Sequence, residues 1–367
     1  MKRFLALMLA CIMLLCCGCG GADDTALATP NFDDHAQIGD NNDSAPTPTP
    51  TPTLAPTPTP APQYVNPLNG EILSAPYTGR IVACSISNKS DAIPHAGLND
   101  ADIYMEMFVN NSIIRGLALY TDVSKVNVIG SIRSNRLMFN DIVTHYDAIT
   151  VHSGGSDQVL NATWNEKIDN ANVGIWDAEK VGASYRDQSF GRIYENTLFA
   201  KGPQLANYIE KTKELRVTGE KGKNYYLTFV DDGTPNGETA NTVSVKFTYQ
   251  GAVKETIMKY DAATDRYIYH QYGEKMSDLF TKEDEGFTNV IVMNTKISMN
   301  GKYQVADFTA GGDGYYANGG QLIPITWSCA GDREAFQFFT ADGKPLELGR
   351  GNSYIAIAPI GSPITWG

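Results

Sequence analysis

The chain has 367 residues, 42% of them apolar, a formal net charge of −12 and five scattered histidines. An acidic chain without a basic patch is a poor partner for nucleic acid, and none is expected. No spacing of His, Cys, Asp or Glu fits a zinc or calcium site, so neither a metal nor a cofactor is expected.

At the start, Lys2 and Arg3 precede an apolar run from Phe4 to Leu15 and the cluster Cys16-Cys17-Gly18-Cys19. The run falls short of the roughly 20 residues that a membrane-spanning helix needs, so it reads as the core of an export signal. Gly18-Cys19 fits cleavage before a cysteine that then takes a diacylglycerol, and palmitate with it. Residues 1–18 are thus expected to be a lipoprotein signal and Cys19 the lipidated residue. Cys16 departs from the usual aliphatic residue of such signals, and a plain secretory signal is the alternative. Loss of Lys2 and Arg3 takes the charge two further, to −14. Residues 19–63 carry the repeat Pro46-Thr47-Pro48-Thr49-Pro50 and its continuation, with no apolar face to bury, and read as a disordered, partly polyproline tether. The expected location is extracytoplasmic, on the outer face of the cell membrane.

The remainder divides by pattern into an expected α/β domain over 64–218 and a β-rich domain over 219–367, an α+β arrangement as a whole. In the first, strands are expected at 80–86, 102–108, 113–120 and 148–153, and helices at 135–146 and 157–167. In the second, strands are expected at 225–230, 242–249, 267–272, 289–294, 321–327 and 354–358. Cys84 and Cys329 lie in apolar stretches and suit either one disulfide or two buried thiols.

The chemistry concentrates in the first domain. Arg133 and Arg136 stand where a helix is expected to begin; in its first turn they would project to one side beside free N–H groups, a setting for phosphate or carboxylate. Pairing with Glu106 or Asp187 is the competing reading. His152, Ser153, Gly154 and Gly155 end a strand and allow close backbone approach, with Ser156 or Asp157 as the next helix cap. His152 and Ser153 are neighbours on a strand and point to opposite faces, which excludes a Ser–His pair. Arg115 puts a charge into an apolar strand, and Arg186 with Asn196 belongs to a polar loop that could close over the same place. The ligand-binding set is therefore Arg115, Arg133, Arg136, His152, Ser153, Gly154, Gly155, Arg186 and Asn196, with Glu106, His152 and Asp187 as the catalytic candidates. The β-rich domain offers Trp327 and its tyrosines, which at strand spacing suit packing better than carbohydrate stacking.

These blocks, from Pro67-Leu68-Asn69-Gly70 through Ala101-Asp102-Ile103-Tyr104-Met105-Glu106, Gly130-Ser131-Ile132-Arg133-Ser134-Asn135-Arg136 and Val151-His152-Ser153-Gly154-Gly155-Ser156, resemble the YerB-type lipoproteins of Gram-positive bacteria. In the second half the resemblance rests on Asn289-Val290-Ile291-Val292, Gly311-Gly312-Asp313-Gly314 and Ile325-Thr326-Trp327. The family pattern carries a proline where Ser131 stands and a histidine where Glu195 stands; were that histidine catalytic, this chain would lack the function. The resemblance implies a lipid anchor at Cys19 and an extracytoplasmic site, but no reaction. The expected function is binding of an anionic cell-envelope ligand or a partner protein, with an envelope hydrolase or transferase as the alternative.

Overall fold

The computed structural model describes residues 63–331 and 333–367; the expected signal, Cys19 and nearly all of the tether lie outside them. Strand makes up 43% of the chain and helix 14%, so the fold is mostly β. The principal strands of the first half are β1 (Val82–Ser87), β2 (Ile103–Asn110), β3 (Ile113–Tyr120), β4 (Ile149–His152) and β5 (Asn170–Asn172). Two helices accompany them, α1 (Leu137–His145) and α2 (Asp157–Asn165). The second half adds β6 (Thr242–Tyr249), β7 (Ala252–Asp261), β8 (Arg266–Gln271), β9 (Asn289–Thr295), β10 (Gly312–Asn318), β11 (Gln321–Ser328) and β12 (Ser353–Pro359).

One sheet of 13 strands runs β11-β10-β9-β12-β2-β3-β1-β4-β5 along its main path. Its centre is parallel pairing between chain halves: β12 lies beside β9 and β2, with Tyr354 opposite Tyr104 and Ala356 opposite Glu106. Such strands are covered on both faces and read as continuous apolar runs, as β1 and β12 do, every residue of both being buried. A six-stranded sheet containing β8-β7-β6 supplies one cover, through Phe247, Met258, Tyr267 and Tyr269. On the opposite face Met138, Phe139, Ile142 and Val143 of α1 pack with Phe308, Phe336 and Leu348 against Met105, Leu117 and Ile355. The segment β4-α2-β5 is a parallel crossover at one edge. Cys84 and Cys329 are both buried and form no disulfide with each other.

A tyrosine on the neighbouring strand fixes a glycine. A Cβ on Gly116 of β3 would lie 2.1 Å from the Tyr104 ring, itself enclosed by Tyr269, Phe287 and Tyr354. Gly116→Ala should therefore destabilise the fold by about 1–3 kcal/mol through overpacking, read as a lower urea midpoint with an unchanged slope.

Candidate functional site

Alternation along β2 and β3 sorts the charged candidates. Glu106 stands opposite Gly116 and Met107 opposite Arg115, so the Glu106 and Arg115 side chains leave the sheet on opposite faces. Arg115 points to the loop that precedes α1. That loop does not begin the helix: Arg133 N–H donates to the Ser85 carbonyl and Asn135 N–H to the Gly154 carbonyl, at 2.8 and 2.9 Å. The Asn135 side chain in turn accepts from Arg136 N–H, and Arg136 is the extended residue before Leu137. Arg133 and Arg136 thus precede the first helical turn instead of occupying it, because their backbone is held by β1 and the glycine loop.

Three donors meet on one carbonyl. Ser134 O accepts from Arg115 Nη1 at 2.8 Å, Arg136 Nη1 at 3.3 Å and Ser85 Oγ at 3.1 Å. Arg136 Nη1 also donates to Asn135 O at 2.7 Å, and Arg133 Nη1 to Asn196 Oδ1 at 2.9 Å. All of these acceptors are neutral. Among the described residues no carboxylate lies within ion-pairing distance of Arg115, Arg133 or Arg136, so the competing expectation, an ion pair to Glu106 or Asp187, is not what the geometry contains. The Nε atoms of Arg115 and Arg136 are sealed from solvent without a partner. Their Nη2 atoms have no hydrogen bond among the described residues and are not sealed.

Burial pulls the Arg115 guanidinium well below the usual arginine range, with repulsion from Arg136 and Arg133 acting the same way. Arg136 is pulled down to about 10, mainly by burial. Arg133 is lowered by burial and by Arg186, against the upward pull of Glu195 and Asp91. An arginine cluster that repels itself and finds only neutral hydrogen-bond acceptors is complementary to negative charge.

His152 and the glycines frame this cluster. Ser153 N–H donates to Arg133 O at 2.9 Å, and Gly154 N–H to Asn172 Oδ1 at 3.1 Å. Gly154 has φ +67° and open space where a Cβ would stand. The Gly155 Cα faces Leu160 of α2, which Ser156 caps by accepting from Val159 N–H. The peptide bond Gly130–Ser131 is cis. Both ring nitrogens of His152 are engaged, Nδ1 with Gly154 O at 2.9 Å and Nε2 with Asn170 Oδ1 at 3.2 Å. The ring holds the loop and presents no free nitrogen.

Burial lowers the pKa of His152 more than these two contacts raise it. Its neutral form is therefore preferred in the fold, and the stability it contributes is complete above the unfolded value of about 6.5 and lost as pH falls below it. Urea unfolding should show stability falling as pH drops below about 6.5, with a shallower fall in His152→Gln. An identical fall in both proteins would assign the effect to other groups.

Asn196 joins the arginines to the next loop, accepting from Arg133 and Ser87 Oγ and donating to Asp91. Arg186 stacks on Tyr194 at 4.0 Å and donates to its carbonyl. Asp187 accepts from Ser189 at the surface, which lowers its pKa, and makes no contact with the arginines.

Glu106 belongs to a different, wholly buried network. Oε1 accepts from Asn88 Nδ2 at 2.6 Å and from Lys254 Nζ; Oε2 accepts from Thr256 Oγ1 at 2.7 Å and Tyr354 OH at 2.6 Å. Asn88 continues to His95 at 3.1 Å and His95 to Glu285 at 3.1 Å. With four donors in place and no exposure, Glu106 has no lone pair left for a substrate proton. Lys254, His95 and Glu285 escaped the sequence reading. The signal available was alternation in Ala252–Asp261, where Lys254, Thr256 and Met258 share the buried face.

A mostly-β fold whose two halves share a central sheet, carrying an arginine cluster at loops beside β1 and β4, defines the structural class. The chain belongs to the DUF3048 family, matching its N-terminal domain of unknown function over residues 68–215 and its C-terminal domain over 243–355. It is similar to the crystal structure of the YerB protein from Bacillus subtilis, with a TM-score of 0.69 and 21% identity over 82% of this chain and 99% of that one. At that identity the likeness carries the fold. No curated protein sequence matches the chain.

Proposed function

We propose that this protein is a lipid-anchored extracytoplasmic binding module, attached through Cys19, whose arginine cluster holds an anionic group of a cell-envelope ligand or partner. The observation that carries the reading is the convergence of Arg115 and Arg136 on the Ser134 carbonyl, beside Arg133, with no carboxylate at ion-pairing distance among the described residues. The open Gly154 position gives an anion room beside them. The first half, with its parallel crossover β4-α2-β5, acts in this reading as the α/β binding unit.

The test is thermal stability of the purified protein against phosphate, polyprenyl phosphate analogues, teichoic-acid fragments and muropeptides. A ligand at 100 times its dissociation constant adds about 2.7 kcal/mol, which a melting curve resolves. Stabilisation that disappears in Arg133→Ala/Arg136→Ala supports the reading. Absence of any shift, with a variant that is itself severely destabilised, makes the arginines internal structure.

A further inference from the structure

A cavity lies beside Asp91, the residue to which Asn196 donates while it accepts from Arg133. It has a volume of about 440 Å³ and its wall includes Asp91, Pro94, Phe190, Arg192, Ile193 and Lys282. About half of that wall is apolar, supplied by Ile93, Pro94, Phe190, Ile193 and Leu279, and part of this faces water: Phe190 is 37% exposed and Ile193 49%. Phe190 is held from behind by Phe199 and Phe280, the three ring centroids lying 5.6 to 6.1 Å apart. Exposed apolar side chains gathered at a cavity are a feature of binding surfaces.

The charges in this wall are unequal. Arg192 Nη2 donates to the Pro94 carbonyl at 2.6 Å, its Nη1 is sealed without a partner, and its Nε has no hydrogen bond among the described residues. Lys282 Nζ donates to the Leu279 carbonyl at 2.6 Å. Neither cation has an ion-pair partner among the described residues, while the single acid in the wall, Asp91, is already shared by Lys89 at 3.2 Å and Asn196 at 3.1 Å. Arg192 also lies over the Phe190 and Phe199 rings, at 5.7 and 5.9 Å. Two cations that meet carbonyls and rings but no carboxylate, beside apolar side chains, are complementary to an apolar body ending in one negative charge.

We infer that this hollow binds an apolar monocarboxylate, its carboxylate held by Arg192 and Lys282 and its apolar part laid against Phe190 and Ile193. The site is separate from the arginine cluster, from which Asn196 and Asp91 divide it.

Isothermal titration with octanoate, N-acetyl-leucine and octanol tests this. Octanoate or N-acetyl-leucine should bind, the tighter of the two telling a straight chain from a peptide end, and octanol should bind at least about tenfold more weakly. R192M and K282M should each weaken carboxylate binding by about tenfold, and K282M, at an exposed position, decides the matter if R192M does not fold. Stabilisation by phosphate, which reports the arginine cluster, should be the same in R192M as in the parent. Absence of binding by both carboxylates, equal binding of octanol, or indifference to K282M overturns the assignment, as does joint loss of phosphate stabilisation in a folded R192M.

Discussion

Glu106→Gln should destabilise the protein by about 3–5 kcal/mol, the cost of leaving a buried charge without its counter-ion. Glu106 and Lys254 are both sealed, and Lys254 is surrounded by the rings of Phe247, Tyr269 and Tyr272 at 5.5 to 6.0 Å. Burial already pulls the Lys254 pKa down against the upward pull of Glu106. A glutamine amide in place of the carboxylate would leave Lys254 without its counter-charge; its NH2 would either face the donors Asn88 and Lys254 or force the Thr256 and Tyr354 hydroxyls to turn from donating to accepting. Lys254→Met is the milder change. It leaves the Glu106 carboxylate without a counter-ion but still held by three donors, Asn88, Thr256 and Tyr354, so about 1–3 kcal/mol is expected. The double variant should be less destabilised than the two single losses added together, because each removes what makes the other costly. Urea midpoints of the four proteins measure this, and a Glu106→Gln midpoint equal to the parent's would refute it.

Because β7 of the second half carries Lys254 and Thr256 while β2 of the first carries Glu106, this network also ties the halves together. It was the part least legible in the sequence. The strands 113–120 and 242–249 were read to the residue because each is an apolar or alternating run closed by turn residues, Asn111 at φ 44° before one and Gln250 at φ 46° after the other. The strand Ala252–Asp261 was missed because its inward face is Lys254, Thr256 and Met258, whereas Val253 is 55% exposed. A polar buried face reverses the pattern that alternation relies on. Near the site, Arg115, Arg133, Arg136 and the His152–Gly155 stretch were nameable from residue type and position. That Arg115 and Arg136 share the Ser134 carbonyl was not, since a backbone acceptor leaves no mark on composition. Glu106 and Arg115 lie nine positions apart yet on opposite faces, and only the pairing of Gly116 with Glu106 reveals it.

Arg115→Met should leave the ligand-free protein as stable as the parent or more stable by about 1 kcal/mol, while removing stabilisation by phosphate. Arg115 is 2% exposed, is repelled by Arg133 and Arg136, and receives one neutral acceptor in return. Methionine follows a similar unbranched path and fills irregular space, so the exchange deletes a buried charge without opening a large cavity. A side chain kept for the fold would behave in the opposite way, losing stability on replacement and leaving anion binding intact. Scanning calorimetry with and without phosphate separates the two. A lower melting temperature together with an undiminished phosphate shift would make Arg115 a structural residue, whereas a melting temperature held or raised with the shift gone would mean that the cluster carries its charge for a ligand at the expense of the empty protein.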